Sequence, residues 1–309
     1  MATAVICEFN PFHNGHKYLL ESAKNVLKEP VIAIMSGSFT QRGEVAVCDK
    51  FVRAKSALEN GADLVLELPV VFSLSGAEGF AKAGVAIASA FECTNHLAFG
   101  SESGDCGLLK KSAKAVCDER VQALVRDGMK NGGYYPRELE NAVKMVFGDE
   151  ISSVLCEPNN ILGVEYIKAL NGTGVEPFSV ARTGAAHDSR IAGEGFASAS
   201  HIREMLRNGE NAKKYAPYIP DEITFPENLD RPLLYRLRTM TREDIAKLPD
   251  VGEGLENRIA DAAVRCSTSS EIADLVKTKR YTHARIRRIL ACALLGICLL
   301  YTSPSPRDS

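Results

Sequence analysis

Residues 4–20 read AVICEFNPFHNGHKYLL, and the change of texture inside this stretch decides the fold. Ala4 to Phe9 is an apolar run with the make-up of a buried strand. It stops at a polar turn stiffened by Pro11, and a helix is expected from about Gly15 to Lys28. Two histidines, His13 and His16, stand three residues apart, one in the turn and one in the first helical turn. In such a strand–turn–helix unit the first N–H groups of the helix and its dipole favour an anion beyond the strand's carboxyl end. Gly15 lets backbone come close to a ligand there. Imidazole N–H groups can follow charge as it builds on a phosphoryl oxygen. A metal site would need a third ligand, and none stands nearby. An isolated H-x-x-H reads as an ordinary turn; its place between strand and helix makes it a phosphate site.

Working outward, apolar runs alternate with helical patterns for about two hundred residues. Val31–Met35 is a second strand, followed by the glycine loop SGSFTQRGE. Asp49 is a plausible N-cap for a helix that ends at Asn60-Gly61. DLVLELPVVF is a third strand and Gly76–Phe91 a helix; HLAFGSE is a fourth strand. Two helices are expected before the helix NNILGVEYIKAL, and EPFSVAR is a fifth strand. Strands without strict alternation, separated by helices, predict a Rossmann-like, doubly wound α/β sheet with parallel strands. Ligands of such sheets bind beyond the strands' carboxyl ends, at the switch in strand order. The segments placed there are Asn10–His16, Ser36–Gly43, Gly100–Glu102 and Arg182–Ser200, and they are polar and rich in glycine.

After about Met205 the strand patterns cease. Prolines 217, 220, 226 and 232 mark a linker, and short helices follow. The expected division is therefore a first domain over 1–210 and a mostly helical region over 211–309. In the latter, KTKRYTHARIRRIL (Lys277–Leu290) carries six Lys/Arg and no acid. Such a run suits nucleic-acid phosphates, with Tyr281 and His283 placed to stack on a base, or equally a solvated helix face. The last stretch, CLLYTSPSPRDS, reads as a truncation or read-through end, with residues after about 298 non-native and the helical region cut short.

The 309 residues, 45% of them hydrophobic, suffice for a large core in one or two domains. A net charge of −2 does not announce a nucleic-acid partner. Nine scattered cysteines without a C-x-x-C suit reduced thiols and offer no zinc spacing. Ile289–Tyr301 is too short for the roughly 20 residues of a membrane helix, and no basic secretory leader opens the chain. The expectation is a cytoplasmic protein with no membrane partner.

HNGH after a first strand is similar to the H-x-G-H signature of the nucleotidyltransferase superfamily, and SASHIR, with Ser198, Ser200 and Arg203, to its late S-x-x-x-x-R element. EFNPFHNGH, MSGSFTQRGEVAVCDKFVRAKSALENGADLVLELP, FGSESGD, PNNILGVEYIKAL and SASHIR follow one another at suitable separations. Together they resemble the bacterial tRNA(Met) cytidine acetate ligase family, from Val5 to about Ile297. The resemblance implies a nucleotidyltransferase-type fold that activates acetate with ATP to acetyl-adenylate. The acetyl group would pass to the wobble cytidine of elongator tRNA(Met), forming N4-acetylcytidine. His13 and His16 are implied to be catalytic. Ile6, Cys7, Glu8, Phe9, Asn10, Pro11, Phe12, Asn14 and Gly15 are implied to bind ATP, with Gly100, Asn159, Asn160, Arg182, Ser198, Ser200 and Arg203. Magnesium is expected to accompany ATP, held mainly by its phosphates. The partners implied are tRNA and acetate, with no DNA; the oligomeric state stays open. Phe9 stands where the family usually has tyrosine.

Several of these residues have plainer readings. Glu8 and Asn10 suit turn capping, Ser198 a simple helix cap, and Arg182 a surface position. Lys50 and Arg53 suit a solvated helix face as well as a positive rim. Two other functions also remain open: an adenylyltransferase acting on a small phosphorylated metabolite, and a non-enzymatic RNA-binding protein with a structural nucleotide.

Overall fold

The structure is a computed structural model that describes residues 1–182, 195–219, 222–252, 254–278 and 281–298. Most of the expected segment Arg182–Ser200, together with Lys279, Arg280 and the terminal TSPSPRDS, lies outside the described residues. In chain order the first elements are β1 (Ala2–Cys7), α1 (Asn14–Leu27), β2 (Val31–Ser36), α2 (Lys50–Glu59) and β3 (Leu64–Leu68). Then come a short α3 (Val70–Ser73), α4 (Ala77–Ser89), β4 (Thr94–Ser101), α5 (Cys106–Val116), α6 (Glu119–Lys130) and α7 (Tyr135–Phe147). A short α8 (Asp149–Ser153), α9 (Pro158–Ala169), β5 (Glu176–Ala181) and α10 (Ala199–Arg207) follow. Among the described residues after α10, the α-helices are α11 (Asp230–Thr239), α12 (Arg242–Ala246), α13 (Leu255–Arg265), α14 (Ser269–Val276) and α15 (His283–Leu295).

The sheet order is β3-β2-β1-β4-β5. β1 runs parallel to β2, with Val5 opposite Ala33, and parallel to β4; β4 runs parallel to β5, with Gly100 opposite Val180. The chain winds outward from β1 to β3, then restarts at β4 on the other side of β1. The switch point therefore lies between the tips of β1 and β4. β1 and β2 are buried along their whole length, as expected of central strands covered on both faces. Ile6, Ile34 and Leu97 enter one core with Phe80 and Tyr166, while Val5, Ala33 and Met35 enter the other with Leu20, Phe9 and Phe12. All nine cysteines are free thiols.

Two sequence expectations are corrected here. The third strand stops at Leu68 because Pro69 cannot continue a ladder, and residues 70–73 turn into α3 instead. β3 is a half-exposed edge strand. Between β4 and α9 there are three helices of eleven or more residues, and α8, rather than two.

The chain divides into two compact units. The first holds 1–35, 48–68 and 77–222; the second holds 36–47, 69–76 and 223 onward. In the second, Phe39, Val70, Val71 and Leu74 pack with the core of α11 to α15. Residues 38–46 form a small hairpin, with Phe39 bridged to Val45. Its tip, Gly43 at φ +79°, lies so close to α15 that a Cβ would fall 2.3 Å from the Arg288 nitrogen. Only glycine fits both the conformation and the approach.

The arginines and the histidine of α15 are bound into this unit. Arg287 pairs with Glu44, and Arg288 donates to the Gln41 carbonyl at 3.3 Å and faces Asp250 at 3.6 Å. Arg285 donates to the Asp250 carbonyl at 2.7 Å and lies over the Tyr281 ring. His283 pairs with Asp274 at 2.8 Å. Tyr281 is 7% exposed and its hydroxyl donates to the Gly252 carbonyl. Tyr281 therefore has no free face on which to stack a base. The long apolar run ends α15 inside this core, and among the described residues no helix is long and apolar enough to cross a membrane.

Candidate active site

The turn after β1 folds around the two histidines. His13 is the N-cap of α1, and its ring nitrogen Nδ1 accepts the Gly15 N–H at 3.0 Å. His16 reaches back so that its Nδ1 accepts the His13 N–H at 3.3 Å. The pair is a capping box written in imidazoles. The rings stack, with centroids 3.7 Å apart and 26° between planes. Phe9 and Phe12 close in behind His16 at 4.9 and 5.8 Å. Phe9 is fully buried and held at φ +47°, an uncommon conformation for a bulky residue that costs on the order of 1–3 kcal/mol.

This geometry fixes the protons. Burial and the charges of Arg182 and Arg203 push the His13 pKa down to about 3. Burial, His13 and Arg182 push His16 well below its usual value. Both rings are neutral at pH 7, and each Nδ1 is already an acceptor, so each proton sits on Nε2. Two Nε2–H donors are thus left for a ligand. The helix N-terminus itself is not: Asn14 N–H donates to the Tyr215 carbonyl, Gly15 N–H to His13, and the His16 and Lys17 N–H groups to the His13 carbonyl. The expectation that free helix N–H groups would greet the ligand is corrected, since the ring donors take that place. Gly15 is likewise small for a different reason than expected. A Cβ there would lie 2.9 Å from Cε1 of His13, so the histidine's own ring fills the space.

The other expected residues divide by what they touch. The Arg203 guanidinium donates to the Asn10 carbonyl at 2.9 Å and approaches the Ser200 hydroxyl at 3.4 Å, which joins α10 to the β1 turn. Ser198 is the N-cap of α10, accepting from the His201 N–H. Gly100 lies beside Arg182, with room for a Cβ at an ordinary 3.5 Å from Cγ, so the protein's own packing does not require glycine there. The Arg182 N–H donates to the Ser101 carbonyl. Ile6, Cys7, Phe9, Pro11 and Phe12 point side chains inward; what they offer the turn is backbone. Asn14 donates from its amide to the Gly195 and Lys214 carbonyls at 2.7 and 3.0 Å, an internal staple. Asn159 and Asn160 are also tied inside the protein. The Asn159 side-chain amide and the Asn159 and Asn160 backbone N–H groups donate to the Glu102 carboxylate at 2.6–3.3 Å, and the Asn160 side-chain Oδ1 accepts from the Ser103 N–H.

The family model described as HIGH Nucleotidyl Transferase matches residues 1–300. The tRNA(Met) cytidine acetate ligase of Clostridium tetani (strain Massachusetts / E88) is 36% identical over 324 residues, covering 96% of this chain and 80% of that protein. That of Thermoanaerobacter sp. (strain X514) is 39% identical over 313 residues, covering 95% and 77%. This chain belongs to the tRNA(Met) cytidine acetate ligase family. Solved structures agree. Thermotoga maritima TmcAL in its apo form I superposes with a TM-score of 0.89 at 32% identity, over 97% of this chain and 77% of that one. TmcAL bound with alpha-thio ATP superposes at 0.87 and 33%, over 96% and 76%.

Within this ligase fold, two residues to which the sequence assigned no role support the site. Arg53 is 1% exposed, not on a solvated face. Its Nη1 donates to the Glu8 carbonyl at 2.6 Å and its Nε to the Cys48 carbonyl at 3.1 Å, which braces the turn that holds Phe9. Lys50 behaves as the plainer reading had it, pairing with Glu67 at the surface. Glu102 is the second, a carboxylate on the N-terminus of α9 that anchors the loop after β4.

The neutral histidines carry a stability signature. An unfolded chain protonates both rings near their ordinary pKa of about 6.5, while the native state resists protonation of His13 until about pH 3. The unfolded state therefore binds more protons across this window, and stability falls as pH drops through it. Urea midpoints are expected to be lower at pH 5 than at pH 7, and the difference to shrink in His13→Gln. Equal midpoints at both pH values would contradict neutral, buried rings.

Proposed function

We propose that this chain joins acetate to ATP and passes the acetyl group to N4 of the wobble cytidine in elongator tRNA(Met). An acetate oxygen attacks the α-phosphorus, the bond to the bridging oxygen breaks, and pyrophosphate departs with the electron pair. The cytidine N4 amine then attacks the acetyl carbonyl, loses a proton, and AMP leaves. The observation that carries the reading is the pair of locked Nε2–H donors of His13 and His16 at the switch point of the sheet. Neutral donors suit charge that builds on phosphoryl oxygens only during the reaction. Arg182 and Arg203 bring positive charge near the same rings, which suits a polyphosphate. The family supports acetate and tRNA(Met) as the other substrates.

The further assignments are part of the same proposal. ATP lies against the backbone of residues 6–16, with Gly100, Arg182 and Arg203 around it. Asn14, Asn159, Asn160 and Ser198 shape the site through internal bonds. Among the described residues no cluster of three or more His, Cys, Asp or Glu side chains could hold a metal, and a magnesium ion would be carried by the phosphates. We place the enzyme in the cytoplasm, where tRNA is decoded. The test is mass spectrometry of nucleosides from elongator tRNA(Met) incubated with the protein, ATP and labelled acetate. Label in N4-acetylcytidine is expected; label absent from tRNA while ATP is consumed would contradict the transfer step.

A further inference from the structure

The cations of α15 are largely bound to acceptors inside their own unit, which draws attention to a different surface on the first unit. The Asn14 amide fastens residues 195 and 214 to the start of α1, and its N–H fastens Tyr215. Tyr18, one turn further on the same helix face, is exposed and meets the Phe196 ring edge-on at 6.2 Å and 86°. Lys17 stands beside it, held only loosely by Glu21 at 3.9 Å. Lys213 and Lys214 are exposed on the fastened segment, with Lys214 over the Tyr215 ring at 5.7 Å. Asn14, which fastens the segment carrying Lys214, lies between His13 and His16 in the turn that holds the pair.

We infer that this patch, formed by Lys17, Tyr18, Phe196, Lys213 and Lys214, is a docking surface for the single-stranded loop of the tRNA. The inference rests on the function proposed above. Aromatic faces beside several cations are the pairing that single-stranded RNA needs, the rings taking bases and the lysines taking phosphates. An amine that must reach an acetyl group near His13 and His16 has to be unpaired. A loop resting on the adjoining turn of α1 presents such a base without opening a duplex.

The test uses the full chain carrying Lys17→Ala, Lys213→Ala and Lys214→Ala together, and separately Tyr18→Ser. Binding of elongator tRNA(Met) is measured over a range of potassium chloride. The triple variant should bind at least about tenfold more weakly at low salt, with the slope of log K against log salt reduced by about 2. Tyr18→Ser should weaken binding by about 5- to 150-fold, the loss of one base stack. Acetate-dependent ATP–pyrophosphate exchange should stay within about twofold in both. A control removes three exposed lysines elsewhere, Lys55, Lys82 and Lys144, and should leave tRNA affinity within twofold. Unchanged affinity and slope in the triple variant, an equal loss in the control, or a wild-type chain that binds no tRNA would overturn the surface. If the wild type shows no acetate-dependent exchange and the triple variant still loses tRNA, the surface stands and the acetate chemistry fails.

Discussion

Replacing His16 by alanine is expected to lower acetate-dependent ATP–pyrophosphate exchange by about 10²- to 10³-fold, about 2.7–4 kcal/mol of transition-state stabilisation. ATP affinity should fall much less, because the Nε2–H serves charge that is absent from bound ATP. The substitution also removes the acceptor of the His13 N–H and the ring stacked on His13, so His13 loses its orientation as well. A double variant with His13→Ala should therefore be only slightly slower than either single variant, since the two rings act as a unit. Glutamine at position 16 keeps an outward N–H and should recover part of the rate. A double variant as slow as the product of the two single effects would contradict a coupled pair.

Arg53→Met should produce the largest loss of stability. It removes a buried guanidinium that donates to two carbonyls, one of them Glu8, next to the strained Phe9. Leaving two carbonyls without this donor costs about 1–3 kcal/mol each, about 2–6 kcal/mol together. At about 2–4 °C per kcal/mol for a unit of this size, the melting temperature should drop by roughly 4–24 °C. Arg53→Lys keeps charge but not the two-armed fork, and should fall between. A melting temperature within 2 °C of wild type for Arg53→Met would show that the brace carries no weight.

The contrast between these two positions shows what the sequence exposes and what it conceals. The histidine pair was legible because strand, turn and helix succeed one another within seventeen residues, and local order fixes local geometry. The parallel sheet was legible because β1 and β2 are unbroken apolar runs. Arg53 was not, because its acceptors are backbone carbonyls, which carry no residue identity, and because a cation on a helix defaults to solvent. The same reason hid the staple at Asn14, whose partners lie about 180 and 200 residues away as carbonyl oxygens. The arginines of α15 are conspicuous in the sequence, but Glu44, Gln41 and Asp250, which they contact, are scattered through it. Pro69 was a readable stop that the length of the apolar run outweighed. Hairpin 38–46 belongs with the helical core through Phe39 and Gly43, and that membership is a tertiary fact without a local pattern.

The central claim is that this site activates acetate on ATP. The direct measurement is isotope exchange between pyrophosphate and ATP by the purified chain, with tRNA left out and acetate varied. Exchange that is absent without acetate, rises to saturation as acetate is added, and is lost in His16→Ala is the predicted result. Exchange that proceeds without acetate, or none at any acetate concentration in a chain that binds ATP, would contradict it.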